Sequence, residues 1–176
     1  FPHLVWGVFM LLLLTQSGLL ARWADALGLI DAPVDFPILV RDRYGIGIIL
    51  TYLGKEIPFL TLLILALLRT QSEGYLLVAE NLGANAWQRF RLITLPLVRP
   101  ALVPGSLLVF AYIFGAYEVP ALLGVRYPRA LPVLALESFT NPDLRARSEG
   151  MAISLIVAFV VLLIVVFARA KEELQG

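Results

Sequence analysis

Lys55 and Glu56 stand side by side in GIGIILTYLGKEIPFLTLLILALL, residues 45–68, where every other side chain is uncharged. A charge in the middle of an apolar run is costly on a lipid-facing side, and by default it marks a solute or ion pathway or a buried pair. Neighbours in sequence do not face each other on a helix, so these two do not neutralise one another directly. They are candidates for lining a translocation path or gate, against the plainer reading of a structural charge held by another helix. Glu118, in GAYEVP, sits near the outer end of a further apolar run. It is a candidate for the mouth of such a path, and contact with interfacial water accounts for it equally well.

Other chemistry is poorly provided for. His3 is the single histidine and there is no cysteine, which leaves no hydrolase triad and no Cys-ligated metal site. No G-x-x-x-x-G-K-[ST] loop occurs, so the chain has no phosphate-cradling turn for ATP hydrolysis. The expectation is a protein that is not an enzyme and carries no cofactor. A net charge of +1 argues against a nucleic-acid partner.

The elements that position these charges follow from composition. Of 176 residues, 60% are hydrophobic and only 15% charged, and the mean hydropathy is +0.86. Soluble domains carry about 25% charged residues. Here the apolar excess is gathered into runs of about 20 residues, the length that crosses a bilayer as a helix. Helices are required because hydrocarbon offers backbone groups no partner. The fold class is therefore all-α, a polytopic transmembrane bundle in a single domain over 1–176, with spans at about 2–21, 44–68, 101–119 and 151–168.

The first run begins at Phe1 without a basic leader or small-residue cleavage site, unlike a signal peptide. The expectation is a piece that starts inside a longer protein. After Arg22, the spacing of Trp23, Leu27 and Ile30 predicts a short interfacial helix ended by Pro33 and Pro37. Pro58 withdraws an N–H from the carbonyl of Gly54, which predicts a kink over Gly54–Pro58. A short amphipathic piece is expected at about Val133–Phe139. Tyr112 and Tyr117 read as interfacial or packing aromatics. The small pairs Gly105-Ser106 and Gly115-Ala116 read as points of close helix approach. Arg69, Arg89, Arg91, Arg99, Arg169 and Lys171 fall on one side of the membrane. Arg22, Arg41, Arg43, Arg126, Arg129, Arg145 and Arg147 fall on the other. The charge rule does not decide orientation.

Between the second and third spans lies VAENLGANAWQRFRLITLP, residues 78–96. Ser72 is suited to cap a helix running through Leu76, Leu77 and Ala79, with Glu73 in its first turn and Glu80 facing away. Gly83 occupies the position where a helix ends in a left-handed residue. Asn85 and Gln88 have the spacing of a capping box for a second helix. Trp87, Phe90 and Ile93 form its stripe with Arg89 outside it, and Pro96 and Pro100 mark the turn into the third span. The pattern is helix, glycine hinge, helix at the membrane surface; an ordinary interfacial hairpin has the same periodicity.

The spacing Ala79-x-x-x-Gly83-x₉-Ile93-x-Leu95-Pro96 resembles the cytoplasmic loop signature of binding-protein-dependent ABC importer permeases, roughly E-A-A-x-x-x-G-x₉-I-x-L-P. The flanking runs, and RPALVPGSLLVFAYIFGAYEVPALLG in particular, are similar to the spermidine/putrescine-type branch over about residues 2–170. Where the family has Glu-Ala this chain has Leu77-Val78, and its nearest acid is Glu80. Such permeases commonly have more than four spans, and the resemblance places the missing ones before Phe1. It implies a type I importer permease-like fold in the bacterial inner membrane, with residues 70–99 and the tail in the cytoplasm. The loop at about 72–96 would act as a coupling element, through Ala79, Glu80, Gly83, Ala84, Phe90, Ile93, Leu95 and Pro96. The implied partners are an ATP-binding ABC subunit, a second permease (the same or related), an extracytoplasmic substrate-binding protein and the lipid bilayer. The substrate would be a polyamine or another small solute. The rival reading is a self-contained secondary carrier or channel that uses Lys55 and Glu56.

Overall fold

The computed structural model describes residues 2–71 and 73–173. Ser72, expected as a cap, and Phe1 lie outside them, as does the side chain of Glu73. The elements are helices α1 (His3–Leu14), α2 (Leu19–Ala26), α3 (Ile46–Gln71), α4 (Glu73–Asn81), α5 (Ala86–Arg89), α6 (Leu95–Gly115), α7 (Glu118–Leu123), α8 (Leu131–Thr140) and α9 (Leu144–Glu173). A 3₁₀ turn occupies Pro33–Asp35 and a π turn Phe90–Thr94. Among the described residues, four helical segments are long and apolar enough to cross a membrane: His3–Ala26, Ile46–Arg69, Ala86–Gly115 and Leu144–Ala170. Their outward faces are apolar, as at Leu155, Phe159 and Phe167 of α9. That is the surface a bilayer requires, since lipid tails solvate it.

The chain divides into two compact units, Phe1–Gly54 with Ala111–Gly176, and Lys55–Phe110. The first unit gathers a small core from Met10, Leu14, Tyr52, Ala116, Val119 and Leu123, with Trp6, Ile48 and Ile113 packed against it. The Trp6 indole N–H donates to the carbonyl of Thr51 at 2.8 Å, and the Thr51 hydroxyl donates to the carbonyl of Gly47 at 2.6 Å. In the second unit, a Cβ on Gly105 would stand 3.1 Å from Leu63, so this glycine lets α6 approach α3. Of the other small pair, Gly115 faces open space, while Ala116 is buried in the core.

Several boundaries differ from the sequence expectations. α1 has 12 residues, a rise of about 18 Å, short of the hydrocarbon thickness of about 30 Å. The chain breaks after Leu14, where the Gln16 side-chain amide donates to the carbonyls of Val34 and Phe36 at 2.9 and 2.8 Å. α2 begins earlier than expected and ends at Ala26, so Leu27 and Ile30 do not extend a Trp23 stripe. Gly28, at φ +69°, closes that end by accepting a conformation a side chain would disfavour. α3 contains Pro58 within its length. Pro96 and Pro100 do not mark a turn: both lie inside α6, which ends at Gly115. The third span thus stops short of Glu118, which opens the separate helix α7.

The entrance to α3 is organised by an acid. Asp42 is 9% exposed, and its carboxylate accepts from the backbone N–H groups of Tyr44 and Ile46 at 3.0 and 2.9 Å and of Gly47 at 3.4 Å. These are the donors a helix start leaves unpaired, and a negative charge there is favoured by the helix dipole. A Cβ on Gly47 would collide with the carbonyl oxygen of Leu39. Asp42→Ala is therefore expected to cost about 2 kcal/mol of stability, the range for losing a cap whose donors stay partly buried. Asp143→Ala, where an exposed carboxylate accepts from Arg145 N–H at 2.9 Å, is expected to cost under about 1 kcal/mol. Thermal unfolding in mild detergent compares them; equal losses would contradict the assignment. Gly47→Ala should lower the same midpoint, whereas Gly74→Ala, in open space within α4, should leave it level or raise it.

Candidate functional site

The loop between α3 and α6 is built from local bonds. α4 closes with Ala84 N–H donating to the carbonyl of Ala79 and Gly83 N–H to that of Glu80, both at 2.9 Å. This paired closure needs a left-handed residue next to the last turn, and Gly83 supplies it at φ +75°. The next residues start a new helix at once. Asn85 Oδ1 accepts from Gln88 N–H, and Gln88 Oε1 accepts from Asn85 N–H, each at 2.9 Å. The capping box expected from the sequence is present, and each half satisfies a donor of the other.

Across the hinge, Arg89 Nη1 stands 3.3 Å from Glu80 Oε1. The pair joins the end of α4 to α5 and so limits the angle at Gly83. With Glu80 65% exposed, it contributes no more than about 1 kcal/mol. Sequence reasoning set Arg89 aside, because its partner depends on how the chain turns at Gly83. The rings of Trp87 and Phe90 stack at 5.6 Å, on the stripe anticipated for them.

The π turn at Phe90–Thr94 was not anticipated. Leu95 N–H reaches back five residues to the carbonyl of Phe90, directly before Pro96, which has no N–H to offer. A wide turn at this place lets the helix run on through the proline. Ala86–Gly115 is consequently one helical segment of 30 residues, about 45 Å long. That exceeds a hydrocarbon layer of about 30 Å.

Of the site residues named from the sequence, Ala79, Ala84 and Ile93 are half-buried, while Glu80, Gly83, Phe90, Leu95 and Pro96 are exposed. Leu76 and Ala79 share the inner face of α4, as positions three apart should. Leu77, one step round, is 61% exposed and joins Leu82 at 81% and Trp87 at 66% in giving the loop an apolar outer surface. That corrects the grouping of Leu77 with Leu76. Lys55 and Glu56 are half-buried in mid-helix on α3. Glu118, half-buried in the first turn of α7, belongs to the other compact unit.

Comparison with known proteins gives this geometry a context. The family model for the binding-protein-dependent transport system inner membrane component matches residues 1–171. The inner membrane ABC transporter permease protein YnjC of Escherichia coli is 32% identical over 162 residues, covering 89% of this chain and 29% of that protein. The molybdenum transport system permease protein ModB of Mycobacterium tuberculosis is 28% identical over 177 residues, 98% of this chain and 61% of its own length. The spermidine/putrescine transport system permease protein PotB of Haemophilus influenzae is 30% identical over 162 residues, 90% of this chain and 54% of its own length. The chain thus spans between 29% and 61% of these relatives. With all-α architecture, four membrane-length helices and a family match over nearly its whole length, this chain belongs to the inner membrane components of binding-protein-dependent transport systems and is a multi-pass inner-membrane protein.

Proposed function

We propose that the chain forms part of the transmembrane permease of an ABC importer and that residues 72–96 are its coupling loop. In this reading the loop docks on a separate ATPase subunit, and ATP-driven movement of that subunit switches the bundle between inward- and outward-facing states. A second permease, identical or related, completes the pathway, and an extracytoplasmic binding protein delivers the solute. The observation that carries the proposal is the loop itself. Two capped helices meet at Gly83, braced by Glu80 and Arg89, with Leu77, Leu82 and Trp87 turned outward. An interfacial hairpin needs no such bracing; an element that transmits force to a partner does. Ala79, Ala84 and Ile93 would hold the loop's shape, while Gly83, Phe90, Leu95 and Pro96 would lie at or beside the docking face.

The relatives' names include transport systems for molybdenum and for spermidine/putrescine, which supports a small solute as cargo, a polyamine among the choices. Lys55, Glu56 and Glu118 would line or flank the pathway.

The test uses the full-length protein in its native membrane. A Cβ at Gly83 meets nothing within 4 Å, so an arginine there would act through the strained positive φ, at about 1–3 kcal/mol, and through bulk presented to the partner. Gly83→Arg should leave insertion intact, release the ATPase from a mild-detergent co-purification and lower ATP-driven uptake about tenfold or more, the effect of some 1.4 kcal/mol. Asn85→Ala, which removes a cap of about 1 kcal/mol, should reduce uptake less. Unaltered uptake in Gly83→Arg, with Lys55→Ala or Glu56→Ala abolishing an ATP-independent flux, would instead identify a secondary carrier.

A further inference from the structure

In the first compact unit, an open cleft of about 400 Å³ has Arg41, Arg126 and Arg129 in its lining, with Glu137 the one carboxylate and Pro120 and Ala130 among its walls. The chain brings these residues together from three places: the approach to α3, the α7–α8 connection and α8 itself.

The charges in this cleft are unequally served. Arg129 pairs with Glu137, and its Nε also donates to the carbonyl of Arg126 at 3.3 Å. Arg41 and Arg126 have no carboxylate partner among the described residues. The acid nearest to Arg41 in sequence is Asp42, whose carboxylate is turned to the backbone N–H groups of Tyr44, Ile46 and Gly47. Two guanidinium groups are thus left uncompensated on one cleft. Each offers a rigid fork of donors suited to the oxygens of a phosphate, sulfate or carboxylate.

Arg41 carries a second, independent mark. It is the only non-glycine residue with positive φ, +59°, among the described residues, a conformation that a long side chain rarely adopts. Such backbone persists where its surroundings impose it. Here the Arg41 N–H donates at 2.7 Å to the carbonyl of Leu123, the last residue of α7 and 1% exposed. Glycine would fill that position without strain, as it does at Gly45, φ +69°. What the arginine adds over a glycine is its guanidinium on the cleft.

We propose that the Arg41–Arg126–Arg129 cleft is an anion-binding site that takes a compact tetrahedral oxyanion, either a free solute or the phosphate of a lipid headgroup. Arg41 and Arg126 supply the donors, and Arg129, fixed by Glu137, holds the connection that carries Arg126. The site depends on the first unit alone and does not require the importer reading.

The full-length protein in phosphatidylcholine nanodiscs, titrated calorimetrically with sulfate and with molybdate, tests it. Arg41→Gly suits the left-handed backbone and removes the whole side chain with its guanidinium; Arg126→Gln removes the second charge. Arg43→Gln, exposed and outside the cleft, is the control. Saturable binding that weakens about tenfold or more in both cleft variants, a typical loss for one charge-assisted partner, and not in the control, supports a free oxyanion as ligand. Retention of phosphatidylglycerol by the wild type, lost in both cleft variants when nanodiscs containing that lipid are analysed by native mass spectrometry, supports the headgroup as the source. Absence of both kinds of binding, or binding that Arg41→Gly and Arg126→Gln leave unchanged in folded protein, overturns the proposal.

Discussion

Every backbone N–H and carbonyl that enters hydrocarbon must find its partner within the chain, and the rest of this structure depends on how the helix ends meet that demand. At the start of α3 the partner is the Asp42 carboxylate. At the end of α7 it is Arg41 N–H, bonded to the carbonyl of Leu123. Within the membrane-length segments, the Trp6 indole serves the carbonyl of Thr51, and the π turn before Pro96 accommodates a residue with no donor. Few of these solutions resemble a simple run of apolar residues, and each fixes where a polar segment can leave the bilayer.

The two polar regions that result are built on different principles. The loop at 73–94 holds its shape through short-range bonds and one exposed ion pair, each contributing about 1 kcal/mol. Its shape is therefore defined while its local stability stays modest. The segment Arg41–Gly47 is instead bound into the core around Leu123 and Val119. There the charged side chains are carried by a backbone with little freedom, which favours recognition over movement.

Much of the loop could be read from sequence because its determinants are local. Gly83 after an amphipathic run, and Asn85 three residues before Gln88, specify turn and cap regardless of the remaining fold. The apolar runs revealed four crossings for the same reason: length and hydropathy are properties of the segment alone. What escaped were features set by tertiary geometry. The Glu80–Arg89 pair depends on the angle at Gly83. Pro96 and Pro100 looked like a stop, because proline's missing donor was counted against an α ladder and the wide turn before it was not considered. Asp42 carries no local signal of its role, since its three donors become neighbours only after the chain turns at Gly45. Glu118 was placed in the third span because the apolar run continues to Val119, while the helix ends at Gly115.

The central claim is that the loop meets an ATPase, and site-specific photocrosslinking tests it most directly. A benzophenone amino acid at Leu82, 81% exposed on the loop, would be irradiated in native membranes, with Tyr127, 89% exposed between α7 and α8, as the comparison position. The account predicts a crosslink to an ATP-binding subunit from Leu82 and none from Tyr127. No ATP-binding subunit captured at Leu82, or its capture at Tyr127 instead, would contradict it.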